Sequence, residues 1–256
     1  MLAHGQIDTA ARSWAHTYRG HRLYLSDRDE ESLIELNRAL AHDAHNARAW
    51  ALRGETHRWL GHHEQAVDDL TTALELDPTL TWALASRGQA HQQAGHHDQA
   101  VTDLTTALEL DPTLTWALAS RGQAHRQAGH YEKAREDLER AVETAPGDLS
   151  STFEKLMLDT VEGPLEACAE QWRRLIASPV SPPDEAATRF LGLLRILLLE
   201  PENGVAEATE EFLFANPDHE EITDALAYLT ELAAVGDGVA DRAWQCRQLI
   251  VERASE

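Results

Sequence analysis

The stretch Gln65–His91 recurs almost letter for letter as Gln99–His125, 34 residues downstream, with Thr102 in place of Asp68 as the one change. A block repeated at that period is one supersecondary unit used again, and a unit so small buries its apolar face only by stacking on its neighbours. The chain is therefore expected to be a solenoid. Set in register, the units read 47–80, 81–114 and 115–148, each with two amphipathic segments of helical period joined at Gly61-His62-His63, Gly95-His96-His97 or Gly129-His130-Tyr131. Small residues fall where two helices must nearly touch: Gly54, Gly88 and Gly122 in the first segment, Ala66, Ala100 and Ala134 in the second. Leu70, Leu104 and Leu138 fill the space between them, and Ala73, Ala107 and Ala141 admit the next unit. Each unit closes at Asp77-Pro78, Asp111-Pro112 or Ala145-Pro146, because proline cannot continue the helix before it.

These slots resemble the tetratricopeptide repeat. The resemblance implies an all-α fold, a right-handed α-solenoid of helix-turn-helix repeats. Shifting back by a further 34 residues gives a fourth, degenerate unit at 13–46, with Gly20, Ser32, Leu36 and Ala39 in the same slots. It departs from the pattern at Asp27, where the turn glycine belongs, and at Ala44, where the proline belongs, so looser turns are expected there. An end unit is atypical in such arrays because one face meets water. Residues 1–12 read as a frayed lead-in.

From Leu149 the signature vanishes but the helical rhythm continues, so 149–256 is expected to form divergent helical hairpins that extend and cap the solenoid. Segments 150–162 and 164–177 make the first hairpin. After the proline-rich break at 178–183, Asp184 reads as the N-cap of a helix running to Leu199, followed by one at 205–215. The last pair is 218–234 and 238–255. Ile196–Leu199 is apolar nearly all round, which at this length points to a buried helix and not a membrane span.

Composition narrows the partners. With 22 basic against 44 acidic residues the formal charge is −22, which repels phosphate backbones and anionic headgroups, so neither nucleic acid nor a membrane surface is expected. Cys168 and Cys246 lie inside apolar helical patterns and read as buried free thiols. The opening residues lack a basic stretch followed by an apolar core, and the expected location is the cytoplasm. Arginine almost to the exclusion of lysine, with abundant alanine, fits GC-rich coding and a bacterial source.

No glycine-rich phosphate loop, Cys-x-x-Cys pair, His-Glu-x-x-His helix or nucleophile elbow is present, so no catalytic residue and no cofactor is assigned. Histidine is the one conspicuous chemical feature. His57, His91 and His125 recur in a slot where the family usually packs a tyrosine, and His62-His63, His96-His97 and His130 recur at the turns. Turns about 10 Å apart cannot share an ion with bonds of about 2 Å, so the histidines are read as packing groups and no metal is assigned.

The resemblance places the partner site on the concave groove lined by the first helix of each unit. Its solvent-facing positions by register are Trp14, Thr17, His21 and Tyr24; Arg48, Ala51, Glu55 and Arg58; Trp82, Ala85, Gln89 and Gln92; and Trp116, Ala119, Gln123 and Arg126. Arg48, Arg58 and Arg126 against the single carboxylate Glu55 suit a partly acidic peptide, and the space expected beside Trp82 and Trp116 over Ala85 and Ala119 suits an apolar anchor. The Lys, Asn and Arg set with which relatives clamp chaperone tails is missing, because its places hold Thr17, His21, Ser86 and Trp116. The reading is a non-catalytic protein- or peptide-binding scaffold. The alternatives are a ligand- or peptide-gated sensor and an enzyme with a pocket between the repeats and the C-terminal helices.

Overall fold

A computed structural model describes residues 4–163, 165–177, 193–194, 197–198, 204–214, 219–232 and 237–253. All regular structure among them is α-helical. The chain divides into two compact units, 1–137 and 138–256, with the boundary inside one helix.

The N-terminal unit holds α1 (His4–Tyr24), α2 (Asp29–His42), α3 (Ala47–Trp59), α4 (His63–Leu76), α5 (Thr81–Gln93), α6 (His97–Leu110), α7 (Thr115–Gln127) and the first half of α8 (Tyr131–Thr144). α1 packs on α2, α3 on α4 and α5 on α6, while α2 meets α3, α4 meets α5 and α6 meets α7. The first helices also touch directly, α1 to α3, α3 to α5 and α5 to α7, so they form one layer of the stack. α1 begins at His4, well ahead of the expected unit start at Ser13, and the lead-in is helical from there.

The small slots allow this close pairing. A methyl group on Gly88 would stand 2.7 Å from Leu104 Cγ and 3.3 Å from the Ala100 carbonyl oxygen. Leu36, Leu70 and Leu104 are wholly buried opposite these glycines, as are Ala39, Ala73 and Ala107. The expected looseness of the degenerate unit is corrected at both turns. Asp27 adopts φ +53°, the left-handed conformation that Gly61, Gly95 and Gly129 take at +72°, +79° and +75°; aspartate tolerates it better than most residues. Its closing turn also matches: the His45 amide donates to Asp43 Oδ1 at 3.0 Å, as the Thr79 and Thr113 amides do to Asp77 and Asp111.

A second periodic device lies between the helices. Arg53 donates to Asp69 from Nε and Nη2 at 2.6 and 2.7 Å, and Arg87 to Asp103 and Arg121 to Asp137 do so at 2.7 Å throughout. The remaining Nη1 reaches back to the previous unit, to Asn37, Thr71 and Thr105 at 2.6, 3.3 and 3.2 Å. In the degenerate unit Arg19 and Glu35 occupy the same two positions and pair at 3.4 Å.

The C-terminal unit contains the rest of α8, then α9 (Leu149–Glu162), α10 (Leu165–Ile176), α11 (Val205–Phe214), α12 (His219–Leu232) and α13 (Asp237–Arg253). Asp148 caps α9, accepting the Ser151 amide at 2.9 Å. α9 pairs with α10 and α12 with α13, while α11 packs on α13 and α12 on α9. Trp172, Phe212, Leu193, Leu197 and Ile250 belong to one buried cluster with Cys168 and Cys246, both free thiols. Arg242 ties α13 to this core by donating to the Leu197 carbonyl at 2.7 and 3.1 Å. The expected break at 178–183 and the Asp184 cap lie outside the described residues, as do Ile196 and Leu199. Among the described residues no helix is long and apolar enough to cross a membrane.

Candidate functional site

The layer formed by α1, α3, α5 and α7 carries every residue assigned to the groove, and the structure sorts them into two depths. Trp14, Arg48, Trp82 and Trp116 share one register position at the start of the repeats. Trp14 is 68% exposed, Trp116 is 40% exposed, and Arg48 is exposed as well. Trp82 is half-buried and packs with Trp50 on the cluster of Leu36, Ala39, Leu40, Ala49 and Leu52. Trp14 extends its surface by stacking on Tyr18, also exposed, with ring centroids 5.8 Å apart.

Deeper positions are taken up by the array itself. Arg58 and Arg126, expected to face solvent, are 5% and 2% exposed. Arg58 donates to Glu55 at 2.9 and 3.2 Å and to Gln93 of the next unit at 3.4 Å, and its guanidinium lies 4.7 Å above the Trp59 ring. Glu55 also accepts from Trp59 Nε1 at 3.1 Å, from the Tyr24 hydroxyl at 3.4 Å and from Ser86. Burial alone would raise the Glu55 carboxyl, but the charge and hydrogen bond of Arg58, with Ser86 and Trp59, hold it below the usual carboxylate range. Tyr24 is pushed up to about 12 by its burial and by the Glu55 charge. One unit along, Gln89 stands where Glu55 does and donates to Ser120 at 2.9 Å, while Gln92 donates to Gln127 at 3.0 Å. Gln123 is half-buried on α7.

Thr17, Ala51, Ala85 and Ala119, also expected on the open face, are buried. Thr17 donates to the Ser13 carbonyl at 2.8 Å and accepts at 3.0 Å from Asn46, the residue that caps α3. The slot expected over Ala85 and Ala119 is therefore closed. The physical reason is common to these residues: first helices that touch each other enclose whatever lies on their flanks. The positive character expected of the groove shrinks accordingly, since Arg58 is neutralised by Glu55 and Arg126 is enclosed. What remains is a cationic corner between α1 and α3, where half-buried His21 titrates below its usual value because of burial and the charges of Arg48 and Arg22.

His57, His91 and His125 lie at the far end of the same helices. Each ring lies beside the turn histidine five residues on, His62, His96 or His130, with centroids 5.6, 5.8 and 5.7 Å apart. The Nε2 atoms of His57 and His91 face Asp69 and Asp103 at 3.9 Å. Burial lowers the titration of all three, partly opposed by the facing aspartate. Neither the imidazole pairs nor the arginine–aspartate ladder was recognised from the sequence, although its signal was present: Arg19/Glu35, Arg53/Asp69, Arg87/Asp103 and Arg121/Asp137 all stand 16 residues apart at the repeat period.

The tetratricopeptide-repeat family matches residues 47–80 and 86–148. The chain carries tetratricopeptide repeats. Among solved structures, a tetratricopeptide repeat protein from Parabacteroides merdae ATCC 43184 is similar at a TM-score of 0.65 and 18% identity, over 93% of this chain and 84% of that one. MamA 41-end from Desulfovibrio magneticus RS-1 is similar at a TM-score of 0.58 and 18% identity, over 64% of this chain and 93% of that one. At this identity the likeness is one of fold. No curated protein matches the sequence.

Proposed function

We propose that the tetratricopeptide-repeat array is a non-catalytic scaffold that binds an extended polypeptide along the face of α1, α3, α5 and α7. The observation that carries this reading is the stripe Trp14, Arg48, Trp82 and Trp116, one residue per unit at a single register. Glu55, Arg58, Gln89 and Gln92 behind it are engaged within the array, so recognition falls to the stripe. An exposed indole offers a large rigid contact, and such residues dominate binding energy where they occur in interfaces.

Arg48 and Trp116 are two units apart, roughly 20 Å at about 10 Å per packed helix. An extended peptide advancing about 3.3 Å per residue covers that distance in about six residues. The partner is therefore a segment with an acidic residue for the Arg22–Arg48 corner and an aromatic or large aliphatic anchor about six residues away.

Selection of a random-peptide library on the full chain, followed by calorimetry of the selected peptides, tests this. The selected sequences are expected to share the anchor and the acid at that spacing. Trp116→Ala and Arg48→Ala, with unchanged circular dichroism, are expected to weaken binding by about 1–3 kcal/mol each. Peptides that bind both variants as tightly as the parent would overturn the assignment of the face.

A further inference from the structure

Three times in the array, the last turn of the first helix and the turn that follows present two imidazoles to one another. The planes of His57 and His62, His91 and His96, and His125 and His130 are inclined by 51°, 57° and 63°. In the first pair the two Nδ1 atoms stand 3.4 Å apart. That is long for a hydrogen bond between ring nitrogens, which prefers about 2.9–3.0 Å. Two ligand atoms each about 2.0–2.1 Å from one ion, and 3.4 Å from each other, subtend about 110°, the tetrahedral angle of zinc.

Two further observations point the same way. In the other pairs Nδ1 of His91 and of His125 is buried without a hydrogen-bond partner, and His125 is only 6% exposed. Buried ring nitrogens are ordinarily satisfied, so an orphaned one beside a second imidazole marks a place for a ligand. On the opposite edge, the Asp69 and Asp103 carboxylates face Nε2 of His57 and His91 at 3.9 Å and are themselves fixed by Arg53 and Arg87. A carboxylate behind an imidazole favours the proton on the near nitrogen and leaves the lone pair on the far one, as behind metal-bound histidines.

We propose that the His57–His62 pair, and its counterparts His91–His96 and His125–His130, are two-imidazole chelates for a divalent transition-metal cation of the zinc class, bound through Nδ1 of both rings. Among the described residues no group of three or more His, Cys, Asp or Glu is placed to hold an ion, so water completes the coordination and the ion exchanges. Imidazole ligands select Zn²⁺, Ni²⁺ and Cu²⁺ over Mg²⁺ and Ca²⁺, which prefer oxygen. The pairs recur once per unit, about 10 Å apart, so each takes its own ion. Because each ion bridges a helix to the turn after it, and the pair exists only in the folded chain, binding stabilises the repeat by mass action.

The test uses Zn²⁺ on the metal-free full chain, read by calorimetry and by nitrogen NMR of the histidine side chains. Saturable binding is expected, with the Nδ1 signals of His57 and His62 shifting in one step, the melting temperature rising, and Mg²⁺ without effect. The triple variant H62N/H96N/H130N removes the exposed ring of each pair and leaves the buried ring in place; it is expected to bind Zn²⁺ at least tenfold more weakly. The double variant H63N/H97N keeps every pair and is expected to bind as the parent does. Undiminished binding by the triple variant, equal loss in the double variant, or a shift at Nε2 in place of Nδ1 would each reduce the effect to adventitious binding by surface histidines and sink the proposal.

Discussion

His57, His91 and His125 share one environment, partly withdrawn from water at the same slot of successive repeats. Burial lowers their folded-state titration below the ordinary 6.5, with the facing aspartate only partly restoring it. Between that lowered value and 6.5 the unfolded chain binds more protons than the folded one, so stability rises with pH there. The stabilisation is whole above about 6.5 and is lost as pH falls through that value towards the folded one. Thermal melts of the metal-free protein are therefore expected to show a falling melting temperature from pH 7.5 to 5, with a shallower fall in H57N/H91N/H125N. An unchanged slope in that variant would remove the burial argument. The histidine slot was legible in the sequence as a packing position; its partner ring was not, because an i, i+5 contact depends on the left-handed turn between the two. Asp27 teaches the same lesson, since nothing local shows that an aspartate will be held at φ +53°.

At the scale of the helix pair, the repeat period made both helices and their small slots readable between 47 and 148, because each slot is printed three times. Gly88 is the sharpest test of that register. A side chain there meets Leu104 Cγ at 2.7 Å and the backbone oxygen of Ala100 at 3.3 Å, and the latter cannot swing aside. Gly88→Leu is expected to cost about 1–3 kcal/mol by forcing α5 and α6 apart, measured by urea denaturation; an unaltered midpoint would mean the two helices do not pack on that face. The arginine–aspartate pairs escaped a reading based on apolar periodicity, which assigns charge to solvent. They are largely enclosed and bidentate, unlike the exposed pair Arg173–Glu170, which rests on two side chains about 60% exposed. Exposed pairs contribute about 0–1 kcal/mol. The same logic limited the groove: register identified the face, but only the contact between successive first helices separates the exposed stripe from Arg58, Arg126 and Thr17 behind it.

Over the whole N-terminal unit, stability follows from position in the stack. Each repeat contributes its own packing and one interface per neighbour, so an interior repeat is held from two sides and the first from one. Thr81–Leu114 has the advantage twice over, because α4 meets α5 below it and α6 meets α7 above it. The sequences at those two junctions are copies of each other, differing at Asp68 and Thr102 alone between Gln65–His91 and Gln99–His125. The first repeat, in contrast, leaves Trp14, Tyr18, Leu25 and Ile34 exposed. Local opening is cheapest where fewest contacts are lost, so exchange of amide hydrogens is expected to be slowest in α5 and α6 and fastest in α1 and α2. The order should persist when a peptide occupies the tryptophan stripe, with the largest gain in protection in α1, since Trp14 is the most exposed member and its helix has the most freedom to lose. If α1 and α2 exchanged more slowly than α5 and α6 in the free protein, the single-sided packing of the first repeat would have to be compensated by contacts beyond the stack.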